Sequence, residues 1–136
     1  LCEAARVLED RQLMDRANRL ALDVTDACLA EGLSDKGYMM YEKKGGRTTG
    51  HASWWGQIET MIACVNAWQI SGNDVYLQSA DTVWTFVKDC MIDREYGEWY
   101  SDCFDGEPKK DTPKVSMWRC PYHTVRLRVE IHNRLK

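Results

Sequence analysis

The chain has 136 residues, which is enough for one domain with a sizeable core. Eighteen Lys and Arg residues against 21 Asp and Glu residues give a formal net charge of −3, which excludes the basic footprint expected for binding nucleic acid or an anionic membrane. The longest stretch without a charged residue, 60–73, is shorter than the roughly twenty apolar residues that cross a bilayer, so we expect no transmembrane helix.

The first part of the chain predicts two helices and a hairpin. Residues 1–8 have the pattern of the end of an amphipathic helix, so we expect the sequence to begin inside a helical element. Asp10 is a good N-cap for a long second helix, which Gly32 ends. Residues 38–41 predict a short strand, and the glycine-rich basic segment 43–50 predicts a hairpin.

The middle of the chain predicts two more amphipathic helices. Ser53 is a candidate N-cap for the third helix, which ends at the Ser-Gly-Asn break of residues 71–73. Asp74 is then expected to cap a fourth helix, whose apolar period continues to Met91. Residues 93–97 close this helix with turn-forming residues.

The last part of the chain repeats the order of the first. Residues 98–103 predict a short strand, residues 107–117 a polar loop and residues 122–135 a final helix. In both halves a long helix leads to a turn, a short strand, a loop, a tryptophan and another helix. Trp55 and Trp118 occupy equivalent positions in this order. Repeated helix pairs of this kind close into toroids or stack into solenoids, with the loops forming a binding face. Five helices make only part of either shape, so helices at its ends should expose apolar faces.

The six cysteines are widely scattered and lack the spacing of a metal site or a disulfide framework. We therefore expect no metal site and interpret them as free thiols, a pattern that suits a reducing cytoplasm. They are Cys2, Cys28, Cys64, Cys90, Cys103 and Cys120.

Two aromatic clusters stand beside titratable residues where a loop leads into a helix: residues 53–59 and 118–123. Such junctions often carry chemistry. Indole rings suit the apolar face of a pyranose, carboxylates and amides bind hydroxyls, and histidine exchanges protons near neutral pH. The clusters therefore predict parts of a sugar site, although His123 taken by itself would be interpreted as a structural histidine at a helix start.

Structural roles compete with these site roles. Adjacent Trp54 and Trp55 point in different directions on a helix, so one should pack in the core and the other face the pocket. Trp99 could pack or line the rim. Glu59 could be solvated or bind a hydroxyl, and Arg126, one turn after His123, could belong to a solvated basic face or reach the site. For Trp68 and Trp84, on apolar stripes, we expect core packing.

Four ordered blocks resemble the N-acylglucosamine 2-epimerase family, which includes cellobiose 2-epimerases and related mannose epimerases and isomerases. Together they cover essentially the whole chain and match the C-terminal third of the family pattern. The blocks are Trp54-Trp55-x-Gln57-x-Glu59; Asn66-Ala67-Trp68-Gln69 with Ser71-Gly72; Asp93-Arg94-Glu95-Tyr96-Gly97-Glu98-Trp99; and Trp118-Arg119-Cys120-Pro121-Tyr122-His123 with Arg126.

This resemblance implies an all-α fold, part of an (α/α)6 barrel with short β-hairpins in its loops, in which residues 1–136 form one partial domain. It also implies a sugar 2-epimerase without a cofactor. In this family one histidine removes the proton from the sugar's second carbon, giving an enediol, and another returns a proton to the opposite face. His123 matches one of the pair, and Trp118 matches a tryptophan that packs against the substrate.

The resemblance further implies that Trp54, Trp55, Gln57 and Glu59 form a neighbouring wall of the pocket. The family's other catalytic histidine lies upstream of the region that matches this chain, so we expect residues 1–136 alone to be inactive. A companion fragment or self-association could complete the barrel. The favoured substrate is a mannose- or glucose-type sugar or a β-1,4 disaccharide. Two alternatives stay open: an aldose-ketose isomerase of the same fold, and a non-catalytic carbohydrate-binding or structural fragment.

Overall fold

The computed structural model describes residues 2–136; Leu1, the first residue of the predicted opening helix, lies outside the described residues. Within this range the chain is mostly helical, with two small antiparallel sheets in its loops. The elements are α1 (Cys2–Val7), α2 (Arg11–Gly32), β1 (Glu42–Lys44), β2 (Arg47–Thr49), β3 (His51–Ser53), α3 (Trp54–Ser71), α4 (Val75–Phe86) with a π-helical turn (Val87–Met91), β4 (Asp102–Phe104), β5 (Glu107–Pro108) and α5 (Tyr122–Arg134).

Two of the three predicted N-caps are confirmed. The Asp10 carboxylate accepts a hydrogen bond from the Leu13 N–H at 2.9 Å, and the Ser53 hydroxyl accepts one from Gly56 at 3.4 Å. Asp74 occupies the cap position of α4 but makes no side-chain bond to the helix, so the predicted cap is wrong. Its carboxylate instead accepts a hydrogen bond from the indole N–H of Trp68 at 3.1 Å.

The hairpin predicted in the glycine-rich segment 43–50 is present. Gly45 and Gly46 have positive φ angles and join β1 to β2, as the two central positions of a type I′ turn require. The predicted strand at 38–41 is wrong in extent: it forms a single bridge at Met39, and regular pairing begins only at β1. The predicted strand at 98–103 likewise starts late, with β4.

The pairing of β3 with β4 joins the two halves of the repeat. β3 follows the first hairpin and β4 begins the second, and their antiparallel register places Ala52 opposite Cys103 and Ser53 opposite Asp102. Ala52 and Cys103 are fully buried. The loops of both halves therefore form one surface, from which α3 and α5 lead away.

Helix α3 lies at the centre of the fold, where it packs against α2, α4 and α5. Trp99 is buried in the main core, which favours packing over the rim, and Trp84 packs against the same core. Trp68 packs against a second, smaller core cluster. The main core consists of Tyr38, Ala52, Ile58, Met61, Ile62, Val83, Phe86, Val87, Met91, Trp99 and Cys103.

Helices near both ends of the described chain expose apolar side chains, as the partial-toroid prediction requires. On α2 these are Leu20 and Val24, and on α5 they are Val125 and Val129. A closed barrel is not present in residues 2–136. No helix within this range is both long and apolar enough to cross a membrane.

The core of α4 gives a matched stability test. Val83→Ala removes two methyl groups at a position with no exposed surface. Each buried methyl group contributes roughly 0.8 kcal/mol, and the cavity adds a further cost, so the free energy of unfolding should fall by about 2 kcal/mol. Val75→Ala makes the same change on the same helix at a side chain that is 55% exposed, so it should be neutral or slightly stabilising. Urea unfolding of both variants measures the difference; equal losses would contradict the assigned core.

Candidate active site

The two tryptophans at the start of α3 lie on either side of the core boundary. Trp54 follows β3 directly. Its backbone N–H donates to the Ser101 carbonyl at 2.9 Å, and its ring packs against the main core. Trp55 is more exposed. Both rings contact His123: the centroid of Trp54 lies 6.2 Å from the imidazole in an edge-on arrangement, and that of Trp55 lies 6.4 Å away. Trp54 is therefore the core residue of the pair and Trp55 the more exposed one, while a pocket in front of Trp55 stays a prediction; both tryptophans border His123.

Three side chains from α3 and α5 form an ionic cluster beside these rings. Nδ1 of His123, in the first turn of α5, lies 3.0 Å from the Glu59 carboxylate on α3. Arg126, one turn further along α5, donates to both oxygens of the same carboxylate. His123 is 29%, Arg126 33% and Glu59 35% exposed, so the cluster is aligned by packing and open to solvent.

The environment of Glu59 favours its ionised form. Partial burial acts to raise the pKa of the Glu59 carboxyl, but the hydrogen bonds and charges of Arg126 and His123 outweigh it and hold the pKa below its usual value. The same contact raises the pKa of the Arg126 guanidinium. An ionised carboxylate only accepts hydrogen bonds, so Nδ1 of His123 must carry the hydrogen. In neutral His123 this leaves a free lone pair on Nε2.

Gln57 does not join this cluster, although the sequence predicts that it does. Its side chain is completely buried. The amide accepts from the Met39 N–H at 2.8 Å and donates to the carbonyls of Met39 at 2.8 Å and Ser53 at 3.1 Å. Since these bonds occupy the amide inside the protein, Gln57 fixes the loop after α2 to the start of α3 and is not available to a substrate.

Trp118 is not brought to the cluster in the described part of the chain. Its side chain is 88% exposed, and its backbone N–H donates to the Ser116 hydroxyl at 3.3 Å. An indole this exposed offers both faces to solvent. Its predicted contact with a substrate stays a prediction.

The other two histidines have partners outside the Glu59–Arg126 pair. His51 is stacked between the rings of Tyr41 and Phe104, at centroid distances of 4.5 and 5.1 Å, and its Nε2 lies 3.5 Å from the Asp102 carboxylate. His132 lines a cavity between α3, α4 and α5. Within residues 2–136, His123 is therefore the histidine that the aromatic and ionic clusters share.

One residue of the cluster's surroundings was not singled out from the sequence. Arg119 is only 4% exposed, and its guanidinium lies over the Trp54 ring, 4.8 Å from the centroid. An arginine in a polar loop between Trp118 and Cys120 carries no sequence signal of burial. The aromatic cluster 118–123, to which Arg119 belongs, is the feature of the sequence that indicates that this loop approaches the site.

The thiols and carboxylates form no metal centre in residues 2–136: no group of three or more potential ligands is arranged to hold an ion. All six cysteines are free thiols. Burial raises the pKa of the Cys64 thiol to about 11 and that of Cys103 to about 12, so both are protonated at neutral pH. These two thiols act as small apolar side chains.

Comparison with known proteins gives consistent matches in sequence. The family model for N-acylglucosamine 2-epimerase (GlcNAc 2-epimerase) matches residues 1–126. A cellobiose 2-epimerase from Bacteroides fragilis is 37% identical over 96% of this chain, and one from Ruminococcus albus is 35% identical over 96%. The chain spans about a third of the length of these relatives, 34% in both cases.

Solved structures give the same result. A sugar epimerase from a ruminal bacterium superimposes with a TM-score of 0.92 at 32% identity, covering 98% of this chain and 34% of that one. The cellobiose 2-epimerase of Bacillus thermoamylovorans superimposes with a TM-score of 0.78 at 33% identity, covering 83% of this chain and 29% of that one. By sequence and by fold, the chain belongs to the N-acylglucosamine 2-epimerase family.

Proposed function

We propose that the surface formed by Trp54, Trp55, Glu59, His123 and Arg126 is one side of the sugar pocket of a carbohydrate 2-epimerase. The observation that carries this proposal is the contact between Nδ1 of His123 and the Glu59 carboxylate, which Arg126 also binds. A base, the group that orients it and two indole rings then lie together on the loop face. Membership of the family and the likeness to cellobiose 2-epimerases support the same conclusion.

His123 acts as the base in this proposal. Its Nε2 lone pair removes the proton from the second carbon of the open-chain sugar, and the electron pair of that bond forms the carbon-carbon double bond of an enediol. The carbonyl oxygen takes a proton from water in this step and gives it back when the second carbon is reprotonated. Glu59 stabilises the imidazolium that results. A positioned base of this kind contributes typically 10²- to 10⁴-fold in rate. A second acid returns a proton to the opposite face, the step that the family resemblance assigns to a histidine outside this chain.

Arg126 holds the carboxylate that orients His123. Because Arg126 binds both oxygens of Glu59, the carboxylate is fixed in place and its ionised form is favoured. Glu59 therefore orients the imidazole by accepting the hydrogen of Nδ1.

The substrate in this proposal is a mannose- or glucose-type sugar or a β-1,4 disaccharide. The more exposed Trp55 offers an apolar face for the C–H surface of a pyranose, and Trp54, packed against the core and beside Arg119, backs this wall. Trp118 offers a further exposed ring at the end of the loop before α5. An aldose-ketose isomerase would use the same enediol and the same base, and returns the proton to a different carbon.

The fold fits part of an (α/α)6 barrel. The exposed apolar stripes of α2 and α5 are the surfaces that further barrel helices would cover, whether they come from a longer polypeptide, a companion fragment or another copy of the chain. A chain that binds carbohydrate without turning it over is the second candidate, since residues 2–136 place one histidine in the cluster. We propose a cytoplasmic location, because scattered free thiols suit a reducing compartment.

Exchange of the sugar's C2 proton tests the role of His123. A chimera would join the first two thirds of the Bacteroides fragilis cellobiose 2-epimerase to residues 1–136, and deuterium incorporation into mannose and cellobiose in heavy water would be followed by NMR. We expect His123→Ala to lower exchange at least about 100-fold, the loss of a positioned base. His132→Ala, a histidine on the same helix outside the cluster, is the matched control and should retain exchange.

Equal exchange in the His123→Ala and unchanged chimeras would refute the assignment of the base. The 136-residue chain alone, assayed in parallel, should give no epimerisation of either sugar; turnover by this chain would refute the proposal that the second acid lies outside it. Binding of cellobiose to the chain without any exchange in the chimera would favour the carbohydrate-binding candidate.

The pH dependence of stability tests the Glu59 cluster. The pKa of Glu59 is lowered from its ordinary value of 4.5 in the folded chain, so its contribution is present above the unfolded value and lost as pH falls through the folded value. At pH 7, Glu59→Gln should lower the free energy of unfolding by about 1 kcal/mol, a small value because solvent screens a pair that is one-third exposed. Urea unfolding should show this difference shrinking below about pH 4; a difference constant from pH 7 to pH 3 would contradict the ionised cluster.

A further inference from the structure

Arg119 is a buried cation with an unusual set of partners. Its guanidinium donates to the Ser101 hydroxyl, to the Trp99 carbonyl and, at 3.5 Å, to the Pro113 carbonyl. No carboxylate binds it among the described residues, and its Nε–H is buried without a hydrogen-bond partner in residues 2–136. Burial lowers the pKa of this guanidinium, although it remains charged. A charged group buried in this way costs stability unless its contacts compensate.

The remaining contact of the guanidinium is with Trp54. The planar cation lies over the indole ring at 4.8 Å from the centroid, the geometry of a cation-π contact. The same indole borders the imidazole of His123 edge-on, at an interplanar angle of 83°. Trp54 therefore contacts both Arg119 and His123. This gives Arg119 a route to the imidazole through the Trp54 ring, beside the four-residue connection along the chain.

We propose that Arg119 is a positioning residue for His123: by clamping the Trp54 indole, it fixes the ring beside which the imidazole lies and keeps Nδ1 directed at Glu59. The inference rests on the proposed function, in which His123 is the base. The clamp itself is a property of the folded chain and can be measured without a sugar. Glu59 orients the imidazole of His123 through Nδ1, and the Arg119–Trp54 clamp supports the same imidazole ring from the side.

A simple role in holding the loop together is the competing explanation, and Lys114 provides the control for it. Lys114 lies in the same loop, where its ammonium pairs with the buried Asp93 carboxylate and donates to the Gly97 carbonyl at 2.8 Å. Its aromatic neighbours are Tyr96 and Tyr100, at 5.8 and 5.3 Å, and not Trp54. Removing Lys114 therefore loosens the loop and leaves the clamp in place.

The test measures the tautomer of His123 by nitrogen NMR of the 136-residue chain labelled at histidine, at a pH where the imidazole is neutral. In the unchanged chain the Nδ1–H form should predominate, because Glu59 accepts that hydrogen. We expect Arg119→Met to lower the ratio of Nδ1–H to Nε2–H forms at least threefold, and Lys114→Met to leave the ratio unchanged while both variants lose thermal stability. Arg119→Lys, which keeps a cation but loses the planar stack, should resemble Arg119→Met.

A second pair of variants keeps the proposal testable if Arg119→Met fails to fold. Trp54→Leu should lower the tautomer ratio as Arg119→Met does, and Arg119→Lys should add nothing further in that background, because the two changes remove one clamp. An unchanged ratio in Arg119→Lys or in Trp54→Leu would overturn the proposal. So would an equal change in Lys114→Met, which would show a general effect of the loop.

Activity supplies an independent readout. In the chimera, Arg119→Lys should lower kcat for C2 exchange about tenfold with KM nearly unchanged, since a positioning residue affects the base more than sugar binding. If His123→Ala leaves exchange intact, the proposed function fails while the NMR result still decides whether the clamp exists. If the tautomer ratio does not respond to the clamp variants while His123→Ala abolishes exchange, the inference alone fails.

Discussion

The antiparallel pairing of β3 with β4 is the constraint on which the site depends. It joins the loop before α3 to the loop before α5, which are about fifty residues apart, and buries Ala52 against Cys103 at the join. Trp54 follows β3, and its backbone N–H donates to the carbonyl of Ser101, the residue immediately before β4. This pairing and the direct packing of α5 on α3 together bring the starts of the two helices to one surface.

The cluster then follows from helix geometry. His123 and Arg126 are three positions apart in the first turns of α5, so they share one face of the helix. That face packs against α3, where Glu59 lies one turn after Trp55. One carboxylate consequently meets two basic groups. The pKa of the Glu59 carboxyl is lowered by these two basic groups, since partial burial alone would raise it.

Features that depend on neighbouring residues can be predicted from the sequence. Features that depend on contacts with residues far away in the chain are predicted less accurately. The caps at Asp10 and Ser53 and the hairpin in segment 43–50 depend on neighbouring residues, and they are confirmed. The limits of the strands depend on pairing across the fold. The strand predicted at 38–41 is therefore wrong in extent, and regular pairing begins only at β1. Asp74 has the right residue type for a cap, but the indole N–H of Trp68 competes for its carboxylate. The Trp68 indole reaches Asp74 because of how the helices pack, which the spacing of residues in the sequence does not indicate.

Burial explains why polar residues of the same motifs have different roles. Gln57 and Arg119 are enclosed and bind backbone or hydroxyl oxygens of the protein, so their polarity serves the architecture. Glu59 and His123 are about one-third exposed: packing aligns them, while part of each side chain remains open. A base that accepts a proton from a substrate needs both conditions, because a fully buried one is inaccessible and a fully exposed one is not held in place. A motif match alone does not separate these classes; the accessibility of each polar side chain in the folded chain does.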